Sequence, residues 1–316
     1  MIVVLALLFV SIGALSTLYT DFLWFKALDF GSVFMTIFTS KLGLFFAGFA
    51  FFFVFAFVNI VVARRFEKKS EITLSLTSGI IILLSVFAGL LTSGAWFIVL
   101  KYLNQTSFNL LDPILARDVS FYVFSLPFLM GLWTLVFGTV IITSILVAIH
   151  YLQQYIKKTF MQQNVDPNTG MKSVNIMQEF PAMKKSAKNH LSILFAIVFV
   201  LMSVRYYLAR YSVMYSREGI VVGAGFVDVN IFLPVVKFLM IFAFIVALVF
   251  LFYIFFLSKK PKLKRRHVIL YMIGLYAIFA IVGQGVAPAL VQSLRVDPNE
   301  LNLEKPYIDN NIEFTR

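Results

Sequence analysis

Seven apolar stretches divide this chain, covering about residues 1–20, 42–63, 76–100, 127–148, 191–209, 235–257 and 268–290. Each is long enough to cross a bilayer, whose hydrocarbon core of about 30 Å takes roughly 20 helical residues. Inside that core a backbone survives only where every N–H and C=O is paired, so a chain of such runs crosses as helices. The expected fold is all-α: a polytopic membrane protein with seven transmembrane helices and interfacial helices in its outer loops. Residues 1–290 form the membrane domain in this reading, and residues 291–316 an extracytoplasmic tail beyond it. The first run exceeds the h-region of about 7 to 15 residues of a signal peptide, and no A-x-A site follows, so it is expected to be retained.

Charge orients the bundle. Arg64, Arg65, Lys68 and Lys69 occupy the second connection, and Lys157, Lys158, Lys172, Lys184, Lys185 and Lys188 the fourth. The sixth holds Lys259, Lys260, Lys262, Lys264, Arg265 and Arg266. Together they carry 16 of the 27 basic residues against 4 acids (Glu67, Glu71, Asp166 and Glu179), so the net charge of +12 sits on one face. Positive loops stay on the cytoplasmic side. A multi-pass protein of the cell membrane is expected, with its N-terminus in the cytoplasm and its C-terminus outside. Basic clusters that hug span ends are expected to meet anionic lipid headgroups, and nucleic acid is not needed to explain them. Trp24, Trp96 and Trp133 fall near outer span ends, where amphipathic rings favour the interface.

The residue inventory narrows the function classes. The chain has 0 cysteines, which removes disulfides, thiolate catalysis and Cys-ligated metal. It has no G-x-S-x-G, H-E-x-x-H or phosphate-loop pattern, and no pair of carboxylates deep in the spans to share acid and base roles. GIVVGAG at 219–225 lacks the spacing of a dinucleotide fingerprint, and its glycines suit turns in an outer loop. His150, His190 and His267 share the inner boundary, but none has a second ligand at helical spacing, and the basic surroundings oppose a cation. No catalytic, cofactor or metal residues are therefore expected.

Ionisable groups at membrane depth are functional hypotheses, because charge in lipid is costly. At about 1.5 Å per residue, Arg205 lies roughly 22 Å above His190, within snorkelling reach of the outer headgroups. Lys237 sits one turn past Pro234. With Asp118, Asp228 and Gln284 these two make a candidate outer-leaflet polar cluster. If the five converge they form a vestibule; if not, they are anchors and local ion pairs. Gly283, Gly285, Ala287 and Ala289, beside Gln284 and Pro288, suit close helix packing or an interrupted helix of the transport type. Residues 153–188 are expected to carry an interfacial helix on each side of a turn at Asn164, Asp166, Pro167, Asn168 and Gly170. Phe22, Phe25, Leu28 and Phe30 suggest another interfacial helix within TDFLWFKALDFGSVF, residues 20–34.

Motifs are densest in the outer segments. LDPILARDVSFYVFSLPF (111–128), RYSVMYSREGIVVGAGFVDVNIFLP (210–234) and VDPNELNLEKPYIDNNIEFTR (296–316) resemble signature stretches of a prokaryotic membrane family, uncharacterised protein family one-eight-two. TDFLWFKALDFGSVF is similar to that family's first outer loop. The resemblance implies a seven-span N-terminal region followed by a large extracytoplasmic domain, with no established activity. It also implies that the last motif continues past Arg316 in the family, this chain being a fragment, a split gene or a shortened member. Two functions follow as expectations. One is a noncatalytic membrane domain that anchors an extracytoplasmic module or protein partner. The other is a transporter or channel that uses the outer vestibule.

Overall fold

The computed structural model describes residues 2–66, 74–161, 164–165, 172–173, 184–217, 219, 221–252 and 266–315. Its first helices are α1 (Ile2–Ala27), α2 (Gly31–Phe66), α3 (Leu74–Gly94), α4 (Trp96–Leu103) and α5 (Leu126–Met161). They are followed by α6 (Lys185–Ser212), α7 (Leu233–Phe252), α8 (Arg266–Ile281), α9 (Ala287–Val291) and α10 (Glu300–Thr315). Two short strands, β1 (Asn164–Val165) and β2 (Lys172–Ser173), pair antiparallel on either side of the expected turn. Asp166, Pro167, Asn168 and Gly170 themselves, and the interfacial helix expected after them, lie outside the described residues. Before the turn, α5 runs on unbroken to Met161, with no separate interfacial helix there.

Among the described residues, six helical runs are long and apolar enough to cross a membrane: Gly31–Phe66, Thr77–Gly94, Phe121–Gln153, Lys185–Tyr215, Asp228–Phe252 and Tyr271–Glu313. The first expected span coincides with α1, a helix of 26 residues that stands outside these six. The end of α2 and the start of α6 meet where the Lys184 ammonium donates to the Phe66 carbonyl at 3.2 Å. This is the basic end. The opposite, capped end carries loops 104–120 and 213–227 together with α10.

Three buried clusters share α6, of which two form the body of the bundle and the third, with Leu208 and Tyr211, lies at the capped end. In the first, α2 buries one residue per turn, Gly48, Phe52, Ala56, Ile60 and Ala63, against α3, α5 and α6. The stripe is mostly small because α2 and α3 nearly touch. A Cβ on Gly89 would lie 2.7 Å from the Phe45 carbonyl oxygen, and one on Gly48 2.2 Å from Thr92 Oγ1. Apolar tails solvate apolar side chains as well as protein does, so close backbone approach is what gains packing energy here. Phe45, Phe49, Phe53 and Phe57 stack in a ladder at 5.5 to 6.3 Å along another side of α2. The second core joins Phe199 and Tyr206 of α6, Leu239, Val246 and Phe250 of α7, and Tyr276 of α8.

A polar junction ties the basic end together. His190 Nε2 lies 3.1 Å from Asn59 Oδ1, and its Nδ1 2.9 Å from the Tyr151 hydroxyl. Asn59 Nδ2 donates to the Phe55 carbonyl at 2.8 Å, which turns Oδ1 toward the ring. An amide oxygen can only accept, so Nε2 donates to Asn59. The junction thus joins α2, α5 and α6 through one imidazole. His150 stands beside Tyr151, with ring centroids 6.1 Å apart, and the side chain of His267 lies outside the described residues.

Three expectations at the capped end change. Residues 20–34 form no separate interfacial helix: α1 continues to Ala27, a short turn with Asp29 at φ 60° follows, and α2 starts at Gly31. The polar residues there do not stop a helix, because Thr20, Thr36 and Thr39 donate back to the Ser16, Ser32 and Met35 carbonyls at 2.7 to 3.0 Å. The third span is broken at Ala95 (φ −85°, ψ 8°), directly after Gly94, and α4 sets off anew. The seventh does not end near residue 290. Helix continues through π-turns at Val282–Val286 and Gln292–Val296 and a 3-10 turn at Asp297–Asn299 into α10. The first of these π-turns precedes Pro288, which has no N–H to give, and widens the helix where that bond is missing. Gly283 there packs as a small contact residue, since a Cβ would meet Val235 Cγ1 at 2.6 Å, whereas Gly285 faces open space.

Candidate functional site

The motif-rich segments converge at the capped end. In loop 104–120, Asp112 is only 2 % exposed and begins a turn with Pro113. Its carboxylate accepts from the Ile114 and Leu115 backbone N–H groups at 3.0 and 2.8 Å and from the Tyr122 hydroxyl at 2.9 Å. Asp118 closes the same loop. It accepts from the Ser107 hydroxyl and from the backbone N–H groups of Phe108, Asn109 and Ser120 at 2.8 to 3.2 Å. The Ser107 bond, followed by those from Ser120, holds the Asp118 carboxyl well below the usual carboxylate range.

Aromatic and guanidinium groups join this loop to α6. Arg210 Nη2 donates to the Tyr211 hydroxyl at 3.1 Å, and its guanidinium lies 4.3 Å from the Tyr207 ring centroid. Arg117 reaches the same hydroxyl at 3.5 Å and stands 5.8 Å from the Phe121 ring, which packs edge-on against Tyr211. Tyr215, in the 3-10 turn Val213–Tyr215 after α6, donates to the Tyr122 carbonyl.

The remaining motif segments meet through Glu304. This carboxylate on α10 is 2 % exposed and accepts from the Phe226 N–H at 3.0 Å. Space for it exists because residue 225 is glycine: a Cβ there would lie 3.1 and 3.2 Å from the two carboxylate oxygens. Around it, Asn311 Nδ2 donates to the Val222 carbonyl at 3.0 Å, and Asn230 Nδ2 to the Tyr307 hydroxyl at 3.2 Å. Gly223 holds φ at +134°, which a side chain would strain, and its N–H closes the loop onto the Ser216 carbonyl at 2.9 Å.

A cavity of about 290 Å³ lies under this cap, lined by Asp112, Tyr122, Met214, Gly223, Tyr307 and Asn311 among others. A second, of about 200 Å³, is bounded by Ser212, Ser216, Asp228, Phe232, Gln284 and Pro288. Two π-turns, Asp228–Phe232 and Val282–Val286, contribute to it. Such bulges often mark functional sites.

Of the five residues singled out from sequence, Asp228 and Gln284 line one cavity. Asp228 Oδ2 accepts from the Gly225 N–H at 3.0 Å, and Gln284 Nε2 lies 3.4 Å from the Tyr206 hydroxyl. Arg205 turns toward α5, 5.6 Å from the Trp133 ring centroid and 4.0 Å from Met130 Sδ. Asp118 serves its own loop, and Lys237 is exposed on the flank of α7. These contacts bring two of the five together. Asp112, Tyr211 and Glu304, which hold the cap, lie inside the motif stretches. Nothing in the spacing of Tyr211 or Glu304 marks them, because each has a partner distant in sequence: Tyr211 meets Arg117 across 94 residues and Glu304 bonds Phe226 across 78, whereas Asp112 bonds within its own segment.

Asp112 gives both oxygens to backbone N–H and hydroxyl donors, and Glu304 Oε1 accepts a loop N–H, so each buried carboxylate organises backbone. The whole chain, residues 1–316, matches the profile of Uncharacterised protein family (UPF0182). It belongs to that family. A UPF0182 protein of Methanospirillum hungatei is 33% identical over 95% of this chain and 33% of its own length. Those of Desulforamulus reducens and Trichodesmium erythraeum are 32% and 31% identical over 98% and 99% of the chain, again about a third of their lengths. This UPF0182 chain therefore spans about a third of the curated relatives it matches. No solved structure matches it.

Proposed function

We propose that these residues are a noncatalytic membrane module whose cap anchors and positions an extracytoplasmic part of the protein or a partner. The cap faces outward in this reading, because the basic clusters of the opposite end belong in the cytoplasm of a cell-membrane protein. The observation that carries the proposal is the buried Glu304 bond, which docks α10 on loop 213–227. A chain continuing from a helix held this way leaves the membrane in a set direction. The basic end rests on anionic headgroups.

The test uses paired spin labels at Thr106→Cys and Asp309→Cys, both exposed positions, in protein reconstituted into nanodiscs. A narrow distance distribution that broadens with Glu304→Ala is expected. A broad distribution already present without that change defeats the proposal.

A transport role is the second reading, favoured by the cavity that Asp228 and Gln284 share beside two π-turns. It requires solute or ion flux in liposomes that Gln284→Leu reduces, and flux-free liposomes count against it.

A further inference from the structure

A groove separate from both cavities lies between the first turns of α2 and helix α4, with a volume of about 510 Å³. Its walls are apolar, formed by Val33 and Ile37 of α2, Trp96, Phe97 and Leu100 of α4, and Phe124 of the π-turn before α5. Polar groups interrupt them at Ser32, Thr36, Asn104 and Lys101. The Lys101 ammonium stands 4.5 Å from the Phe97 ring centroid. Lys41, farther along α2, places its ammonium 5.8 Å from the ring of Trp96. Among the described residues, neither lysine pairs with a carboxylate. Two cations are therefore held on aromatic faces beside an apolar trough, with no carboxylate among the described residues to answer them.

Depth identifies what answers them. At about 1.5 Å per residue, Lys41 lies roughly 34 Å along α2 from Arg64, and Lys101 roughly 40 Å along α3 and α4 from Leu74. A hydrocarbon core of about 30 Å within a bilayer of about 40–45 Å puts both at the headgroup level of the leaflet on the capped side. An aqueous solute of matching charge would leave the trough unfilled, and a neutral lipid would leave the lysines unanswered. An anionic phospholipid satisfies both, with its phosphate at the ammonium groups and an acyl chain along Trp96 and Phe97. Ser32, Thr36 and Asn104 add hydrogen-bonding groups for the glycerol and phosphate oxygens.

We propose that this groove is a binding site for a phospholipid of net negative headgroup charge, drawn from the leaflet on the capped side. It is distinct from the headgroup contacts of the basic loops, which lie at the other end of the helices. It also does not depend on the anchoring role of α10.

Native mass spectrometry tests it, on protein released from nanodiscs of equal parts phosphatidylglycerol and phosphatidylcholine. Wild-type protein is expected to retain phosphatidylglycerol in excess. The Lys41→Gln/Lys101→Gln pair lowers that retention about tenfold or more, since each cation near an anionic surface is worth about a factor of five. Lys41→Arg/Lys101→Arg keeps the charge and restores retention, which separates lost binding from lost folding. Thr36→Trp fills the trough with both cations intact and is expected to lower retention to a similar degree. Wild-type retention in Thr36→Trp would mean diffuse surface charge and overturn the site. Equal retention of both lipids would overturn it as well, as would a lipid-free dimer whose interface covers the groove.

Discussion

Replacing Glu304 with alanine is expected to release α10 from the cap while leaving the helical bundle in place. The substitution removes a carboxylate that is 2 % exposed and accepts the Phe226 N–H at 3.0 Å. A buried donor left without its acceptor loses about 1–3 kcal/mol, and the void left by the carboxyl adds to that. This weakens docking by about 5- to 150-fold. Undocked, α10 is a 16-residue helix with Pro306 in its interior, too short and too interrupted to persist in water. Hydrogen exchange with mass spectrometry, on protein in nanodiscs, reads this directly. Amides of residues 300–315 and of Phe226 should exchange faster by that factor, with α2 and α3 unchanged. Glu304→Gln keeps a carbonyl oxygen for Phe226 and should lose much less. Gly225→Ala, which crowds the same carboxylate from the other side, should resemble the alanine variant. Unchanged protection of α10 in Glu304→Ala would refute the reasoning, because the docking would then rest on other contacts.

Other expectations are open to simpler measurements. Gly89→Ala forces a Cβ to 2.7 Å from the Phe45 carbonyl oxygen, and overpacking of this kind costs about 1–3 kcal/mol, whereas Gly43→Ala meets nothing within 4 Å. A thermal-shift assay in detergent should show a lower melting temperature for the first only. The Asp118 carboxyl is held below its ordinary range, so its contribution to loop 104–120 is complete above about pH 4, the unfolded value, and fades only as pH falls further toward the lowered folded value. Exchange of the Asn109 and Ser120 amides should therefore show no opening between pH 7 and about pH 5, and opening in that window would contradict the assignment. Tyr151→Phe removes the hydroxyl that hydrogen-bonds to His190 Nδ1, at an expected loss of about 0.5–1.5 kcal/mol. If combining it with Asn59→Ala gave a strictly additive loss, the two contacts would not share one imidazole. Cysteines introduced at positions 228 and 284 should react with a membrane-impermeant thiol reagent, and one at position 239, where Leu239 is 0% exposed, should not.

Much of the capped end was legible as motif and little of it as geometry. The stretches at 111–128, 210–234 and 296–316 stood out along the chain, and these same stretches pack on one another. Which side chains bind them was hidden. Arg205 and Lys237 drew attention because a charge in an apolar run is conspicuous, yet Arg205 faces Trp133 and Lys237 is exposed. Asp112 and Glu304 drew none because a carboxylate in a polar segment is ordinary until folding buries it. The helix boundaries at 20–42 and 290–316 moved for a related reason. Hydropathy marks where a helix is apolar, whereas hydroxyls that donate to their own backbone let it continue through polar residues.

Sequence alone determined the helical class, the apolar runs and the segregation of charge to one end. A bilayer imposes these through length, hydropathy and lysine count, quantities that need no knowledge of which residues touch. Tertiary structure decided the rest. The Gly48 and Gly89 crossing, the His190 junction and the burial of Glu304 each join residues far apart in sequence. The energy of such contacts comes from packing and from hydrogen bonds withheld from solvent, and both exist only once the chain has closed on itself.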